Sequence, residues 1–259
     1  PDIKNPKAAI PIVLLAGIFW SFGPYVVRHI DQPQLVPWQY LFTRGLVIFI
    51  LLNVYLYLNE GLKFYKNYSK IGISGILGGV GLATAMITFI WSISNTSAAV
   101  TLLCLAAMPF ITALLGFMFL KEKISLTVWI SIFVATFGIA VMAFGNAEKN
   151  TLPGLIFGLA SAVGFSIFSV TLRWRKSTPK FTTVALAGLF CCIFSTAFIL
   201  INDLSFLSTN KNEALFATHG TLVCSGLILY SIGSKNIPAT DLTLLSLTEV
   251  IGGIFWVWL

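Results

Sequence analysis

The stretch from Ser94 to Met118 reads "SNTSAAVTLLCLAAMPFITALLGFM" and holds no charged residue. A helix of about 20 apolar residues is long enough to cross the roughly 30 Å hydrocarbon core of a bilayer. A helix that is apolar on all sides has no polar face to turn toward water. This stretch therefore predicts a transmembrane helix, which we place at 97–120.

The whole chain has the same character. Of its 259 residues, 57% are hydrophobic and only 10% are charged, whereas a soluble domain carries about 25% charged residues. So few charges cannot cover a globular surface, and we expect a lipid bilayer as the solvent. The net charge of +7 comes from Lys and Arg scattered between apolar runs, which predicts no nucleic-acid groove.

Metal ions and cofactors are not predicted either. The four cysteines all lie inside apolar runs, and neither a Cys-x-x-Cys pair nor a Cys/His ligand spacing occurs. A Walker A lysine, a Gly-x-Ser-x-Gly elbow and a His-Glu-x-x-His pair are also missing from the sequence. Nucleotide hydrolysis is therefore not encoded by any recognisable motif.

With the 97–120 stretch included, nine apolar runs of the chain are long enough to span a membrane. They lie at 8–27, 37–57, 71–91, 97–120, 124–145, 152–172, 181–201, 214–233 and 239–259. If the N-terminus is cytoplasmic, twelve Lys and Arg lie in or beside cytoplasmic connections and three lie on the far side. Positive charge favours the cytoplasmic side, so this bias predicts a cytoplasmic N-terminus.

The opening stretch has a counterpart at 235–259, "KNIPATDLTLLSLTEVIGGIFWVWL". A shift of 141 residues pairs Leu103 with Leu244, and a shift of 145 residues pairs Arg28 with Arg173. The matches occur in the same order in both halves, which predicts an internal repeat. Each unit would hold five spans, and because five is odd, the second unit would enter the membrane upside down.

These residues resemble the EamA-type repeat of the drug/metabolite transporter superfamily. The "TSA" at 96–98, Pro109 and the "FLKE" at 119–122 fit the second half of that repeat, while Met108 stands where members have a glutamate. In the second unit Glu249 supplies this glutamate. The resemblance implies an all-α integral membrane protein of two inverted five-helix repeats, a ten-helix fold with nine spans in this chain. We place the repeats at 8–145 and 152–259, and expect a tenth helix after Leu259.

Glu249 is the first candidate for a site, because an ionisable group at mid-span costs roughly 2.5–3.5 kcal/mol on insertion scales. Helical spacing places it on a small, polar face with Ser246. Structural hydrogen bonding to a neighbouring helix and binding of a substrate or a coupling proton are the alternatives. Arg44 occupies the place of a frequent family arginine, and it either snorkels to the interface or binds substrate.

Three further candidates come from the first and eighth spans. His219 is interpreted as a hydrogen-bonded core histidine in preference to a proton relay, because no acid lies near it in the sequence. Trp20 and Ser21 are candidates for lining a cavity, since Trp20 lies too deep for the interfacial aromatic belt.

The resemblance implies a carrier that moves a small polar organic metabolite, an amino acid or a related compound, by alternating access. We expect a multi-pass protein of a cell membrane, the bacterial inner membrane being the first choice. Proton or ion coupling and a homodimer are open alternatives. The rival functions are a membrane-embedded enzyme acting on a lipid-linked substrate and a membrane scaffold that transports nothing.

Overall fold

The computed structural model describes residues 6–122, 126–127, 129–130, 133–134, 137, 151–175 and 177–258. No strand occurs among them. The helices are α1 (Pro6–Ser21), α2 (Gly23–Arg28), α3 (Pro37–Glu60), α4 (Tyr65–Ser69), α5 (Gly72–Asn95), α6 (Ala98–Leu105), α7 (Met108–Leu115), α8 (Thr151–Trp174), α9 (Lys180–Ile201), α10 (Asn210–Gly233), α11 (Ala239–Ser246) and α12 (Thr248–Trp258). A 3₁₀ turn at Gly61–Phe64 precedes α4, and a π turn at Gly116–Leu120 follows α7.

Seven helical segments among the described residues are long and apolar enough to cross a membrane. They are Ala9–Arg28, Pro37–Ser69, Gly72–Asn95, Ala98–Leu120, Leu152–Trp174, Lys180–Ile201 and Asn210–Gly233. The predicted ninth span, 239–259, contains α11 and α12, which are separated at Leu247. The predicted fifth span, 124–145, lies mostly outside the described residues.

Large apolar side chains cover the outside of the bundle. Leu58 of α3, Ile73 of α5, and Phe194 and Ile201 of α9 are all exposed. Exposed apolar surface on this scale is unfavourable in water and favourable against acyl chains. The apolar outer surface and the lengths of the apolar helices therefore both indicate a multi-pass membrane protein.

The helices pack in a paired pattern. α5 packs along α8, and α1 packs along α10. α6 and α7 lie against α8, while α11 and α12 lie against α1. α3 packs on α9; in addition α5 contacts α9, and α3 contacts α10. Each half of the chain therefore packs mainly on the other half.

Small residues set how closely these helices approach. On α5 and α8, a Cβ built on Gly164 would lie 2.6 Å from the Gly81 carbonyl oxygen, and one built on Gly81 would lie 2.8 Å from the Gly164 oxygen. Neither site has room for a side chain, so the two backbones are in direct contact, as small-residue helix interfaces in membranes allow. Gly45 of α3 and Gly188 of α9 repeat this arrangement, with corresponding distances of 2.9 and 2.8 Å.

Candidate functional site

A cavity is lined by residues of eight helices, α1, α3, α5, α6, α7, α8, α10 and α12. Four polar residues face it: Arg44, Ser161, His219 and Glu249. The rest of its wall is apolar or aromatic, and consists of Trp20, Leu82, Ala85, Met86, Phe89, Leu105, Met108, Phe165, Val223 and Leu227. A mostly apolar pocket with a few convergent polar groups is the usual form of a small-molecule site.

Three membrane helices each contain a local break in the regular α-helical bonding beside this cavity, although the backbone there stays right-handed. The first membrane helix breaks at Phe22, the fourth at residues 106–107, and the ninth at Leu247. The breaks in the fourth and ninth helices are related by the shift of 141 residues that the repeat predicts, because this shift places Ala106 on Leu247.

Two of the breaks follow from proline. Proline has no amide hydrogen to donate to the carbonyl four residues earlier, and its ring clashes with that carbonyl. Pro24 and Pro109 each lie in the first turn after a break. The carbonyls they leave without this bond belong to Trp20 and Leu105, and both residues line the cavity.

The third break lies in a segment without proline, and hydroxyl side chains bond its backbone instead. The Ser246 hydroxyl donates to the Thr243 carbonyl at 2.8 Å, and the Thr248 hydroxyl donates to the Leu245 carbonyl at 2.9 Å. Such bonds from Ser and Thr to the preceding turn often bend helices. Ser246 therefore belongs to the break itself and is absent from the cavity wall.

Glu249 lies in the first turn of α12, directly after the break. Its side chain is partly exposed, and it is the carboxylate of the cavity wall. The positive end of the helix dipole favours a negative group at this position. The break thus places a carboxylate at a helix N-terminus inside the cavity.

Arg44 faces the same cavity from α3 and is only 2% exposed. Its Nη2 donates to the Met86 carbonyl at 2.8 Å, and its Cζ lies 5.6 Å from the centroid of the Tyr40 ring. Its buried Nε has no hydrogen-bond partner among the described residues. This arginine does not snorkel to the interface, because its guanidinium is bonded and enclosed inside the bundle. It forms no direct ion pair with Glu249 in the described part of the chain.

His219 is held by a buried hydrogen bond between its Nδ1 and the Tyr40 hydroxyl. The Tyr40 ring is in turn stacked on Phe216, with ring centroids 4.6 Å apart. The histidine is therefore hydrogen-bonded in the interior, as its interpretation as a core residue expects. It also borders the cavity, a position that its sequence neighbours did not indicate.

Trp20 forms one wall with its ring. Its Nε1 donates to the Val223 carbonyl at 3.2 Å, and the ring packs edge-on against Phe165 at a centroid distance of 5.5 Å. A Cβ on Gly226 would overlap the Trp20 indole, so this glycine allows the ring to lie flat on α10. Ser21, the next residue, is not part of the wall; its hydroxyl accepts a bond from Trp256 Nε1 at 3.0 Å.

Two clusters of polar residues lie at the two ends of the helix bundle, one on each side of the cavity. One cluster joins Glu122, which follows the π turn, to Arg173 near the end of α8 at 2.9 Å between Oε1 and Nε. Arg173 Nη1 also donates to the Ile237 carbonyl at 2.5 Å, and the Ala239 amide donates to Glu122 Oε2 at 3.3 Å. This cluster ties the loop before α11 to the ends of the fourth and sixth membrane helices.

The other cluster holds the opposite ends of the helices. The Thr43 hydroxyl donates to Glu213 Oε2 at 2.7 Å, and the Asp31 amide donates to Asn212 Oδ1 at 2.9 Å. Lys211 forms an exposed ion pair with Asp31 at 2.6 Å. Both ends of the bundle are thus crosslinked between the two halves of the chain.

Sequence reasoning missed several of these residues. Ser161 lines the cavity and donates to the Ala85 carbonyl at 2.9 Å. Phe89 and Phe165 were not singled out, because a phenylalanine in an apolar run carries no local signal of its surroundings. Glu122 was noticed only as a helix end, although the same carboxylate contacts two other elements. No group of three or more His, Cys, Asp or Glu in the described residues is arranged to hold a metal ion.

Comparison with known proteins assigns the class. Residues 7–144 match the EamA-like transporter family, and a match over this much of the chain shows that the protein belongs to that family. Together with the seven apolar helices, this makes it a multi-pass membrane protein of a transporter family.

Relatives agree with this assignment, and a solved structure shares the fold. Two sequences from Helicobacter pylori, strains J99 and 26695, both described as "Uncharacterized transporter", are 25% and 24% identical. Each alignment covers 95% of this chain and 84% of the relative. A solved crystal structure has the same fold, with a TM-score of 0.71 at 18% identity over 96% of this chain and 86% of the other. The family and these relatives point to a transporter rather than an enzyme.

Proposed function

We propose that this protein is a secondary transporter that moves a small zwitterionic metabolite, an amino acid or a related compound, through the cavity by alternating access. The observation that carries this proposal is the pair of charges in the cavity wall. Arg44, with its unpartnered Nε, and Glu249 face one cavity without pairing with each other. A substrate with a carboxylate and an ammonium group would satisfy both.

The energetics favour a charged occupant. A buried, unpaired polar or charged group is costly in a membrane interior. A carboxylate on Arg44 would use the Nε donor that the protein leaves without a partner, and charge-assisted bonds of this kind are about twice as strong as neutral ones. The apolar wall between the two charges suits an uncharged body or side chain, and a large polyanion would find one cation and one anion there.

The proposed mechanism rests on two inverted repeats, 8–145 and 152–259. In the two units, α1 corresponds to α8, α3 to α9, α5 to α10, and α6 and α7 to α11 and α12. Exchanging each helix for its counterpart turns the α5–α8 contact into the α10–α1 contact. It maps the packing of α6 and α7 on α8 onto that of α11 and α12 on α1, and the α3–α9 contact onto itself. This reciprocal packing supports a two-fold arrangement in which the halves rock about a central site. The Glu122–Arg173 cluster at one end of the bundle and the Thr43–Glu213 cluster at the other would open alternately.

The experiment is transport by the purified full-length protein in proteoliposomes. A labelled pool of amino acids is offered, and each transported compound is then competed with two analogues, one lacking the amino group and one lacking the carboxylate. We expect both analogues to compete at least about tenfold more weakly, since each loses a charged contact of roughly 1.5–3 kcal/mol. Undiminished competition by either analogue contradicts the zwitterion proposal, and a protein that moves no solute would support the scaffold alternative.

A further inference from the structure

A second pocket lies at the end of the bundle that holds the Glu122–Arg173 ion pair. Its lining joins three membrane helices where they leave the bundle: α8 through Leu172 and Arg173, α9 through Lys180, and the end of α10 through Ser234 and Lys235. Three of these five residues are cations. The pocket is separate from the central cavity, because the two share no lining residue.

The side chain of Lys180 is turned inward. Its Nζ donates to the Ser234 hydroxyl at 2.7 Å, and this hydroxyl donates onward to the Ser231 carbonyl at 2.8 Å. Ser234 is buried, and Lys180 is only partly exposed. A lysine at a helix end normally extends its ammonium group into water. Here the ammonium group is instead held at the wall of a pocket.

None of the described residues that line this pocket carries a carboxylate. Arg173 is paired with Glu122 and with backbone carbonyls, but Lys180 forms no ion pair with any carboxylate among the described residues. Asp241 lies in the neighbourhood but lines a different pocket. Like charges held together repel each other, and the repulsion is stronger away from bulk water. An anion placed between these cations would lower their electrostatic energy.

The backbone adds to this preference. Helix α9 begins at Lys180, and the first turn of a helix presents amide groups that have no acceptor inside the helix. These amides and the helix dipole favour a phosphate or another anion at this end. The cations and the N-terminus of α9 therefore act on the same pocket.

We propose that this pocket binds a phosphate group, supplied by the headgroup of an anionic phospholipid. Its position at the ends of three membrane helices is the depth of the lipid headgroups. Basic pockets between membrane helices on the cytoplasmic side bind such headgroups, and the charge bias of the sequence places this end of the bundle there. Leu172, which also lines the pocket, offers an apolar contact beside the cations.

The test is thermal unfolding of the full-length protein in detergent with added phosphatidylglycerol, phosphatidylcholine or inorganic phosphate. Phosphatidylglycerol should raise Tm by roughly 3–5 °C over phosphatidylcholine, because a ligand that binds only the folded state stabilises it. Lys180→Gln and Lys235→Gln should each lose most of this rise, and Lys180→Arg should keep it. Lys211→Gln, at the other end of the bundle, is the matched control and should also keep it.

Equal effects of the two lipids, or a full rise in both glutamine variants, overturn the proposal. If inorganic phosphate alone raises Tm as much as phosphatidylglycerol and depends on Lys180, the site binds a free anion and the lipid source is wrong. Size-exclusion profiles identify any variant that does not fold. In that case Lys235→Gln decides the question, because Lys235 is exposed and the Lys180–Ser234 bond does not involve its side chain.

Discussion

The Arg173 guanidinium and the Glu122 carboxylate form a partly buried ion pair whose members also hold the loop before α11 through two backbone bonds. The pair therefore joins three elements, and its removal should affect all of them. The Asp31–Lys211 pair at the other end is more than half exposed on both side chains. The protein thus contains a matched comparison between an ion pair that is bonded to the backbone and one that is exposed to solvent.

We predict that Glu122→Gln lowers the free energy of unfolding by about 1–3 kcal/mol, the usual value for losing a charged hydrogen bond of this kind. Asp31→Asn should lower it by less than about 1 kcal/mol, because exposed pairs contribute little. Thermal or denaturant unfolding in detergent measures both. The double variant Glu122→Gln with Arg173→Gln should be less destabilised than the sum of the single variants. Full additivity contradicts an energetic link between the two residues.

Contact between the backbones of α5 and α8 makes a second prediction. In Gly164→Ala the new methyl group would lie 2.6 Å from the Gly81 oxygen and 2.8 Å from the Ala85 amide nitrogen, and backbone cannot move aside as a side chain can. We expect a loss of about 1–3 kcal/mol from overpacking. The control is Gly79→Ala, whose methyl group would meet only the ends of the Leu186 and Phe190 side chains at 3.3–3.4 Å. Equal melting temperatures for the two variants contradict the expected backbone contact.

The positions of the membrane helices could be predicted from sequence, because they depend on local composition. α3, α5 and α9 begin within one residue of the predicted spans at 37, 71 and 181. The helix breaks could not be predicted in the same way. Pro24 and Pro109 are visible in the sequence, but a proline in a membrane helix can be accommodated by neighbouring groups. Whether the helix breaks there depends on packing that is not encoded locally.

The same breaks explain which candidate site residues lie at the cavity. Charged or strongly polar residues inside apolar runs are few, so Arg44, His219 and Glu249 could be singled out, and all three face the cavity. Ser246 was placed on the face of Glu249 by assuming a single continuous helix. In the structure the Ser246 hydroxyl bonds the Thr243 carbonyl of α11, and Ser246 is not among the residues that line the cavity.

The bond between Tyr40 and His219 leads to a third prediction. Tyr40→Phe would leave the buried Nδ1 of His219 without its partner, and an unsatisfied buried group costs about 1–3 kcal/mol. We expect Tyr40→Phe to lower the melting temperature by several degrees. If His219 acts only through this bond, His219→Leu should lower the free energy of unfolding less in the Tyr40→Phe variant than in the parent protein. A transport rate that falls in every His219 variant of normal stability would instead indicate a relay or a binding role.

Membrane orientation is a fourth prediction, and the cysteines make it accessible to experiment. All four native cysteines are buried, so a single introduced cysteine on the surface should dominate labelling by an impermeant thiol reagent. Lys66→Cys should be protected in intact cells and labelled after permeabilisation, because the loop before α5 is predicted to be cytoplasmic. Lys211→Cys, at the opposite end of the bundle, should be labelled in intact cells. The reverse pattern would invert the orientation proposed from the charge bias.

The last prediction concerns Glu249. The carboxylate lies at the N-terminus of α12, it borders the cavity, and it forms no direct ion pair in the described part of the chain. In the proposed repeat, the position equivalent to Glu249 is Met108, an apolar residue that is buried. The fold alone therefore does not require a carboxylate here, which favours a role in binding the substrate or a coupling proton.

Glu249→Gln keeps the size of the side chain and most of its hydrogen bonding while removing the charge. We expect this variant to fold with a melting temperature close to that of the parent protein, yet to transport at least about tenfold more slowly, because a charged contact of roughly 1.5–3 kcal/mol is lost. If Glu249 carries a coupling proton, transport by the parent should vary over a range of about pH 5.5 to 8 and transport by the variant should not. Glu249→Asp, which keeps the charge, should recover part of the rate. A Glu249→Gln variant that transports like the parent across this pH range would leave the carboxylate with a structural role only, and the site would then depend on Arg44.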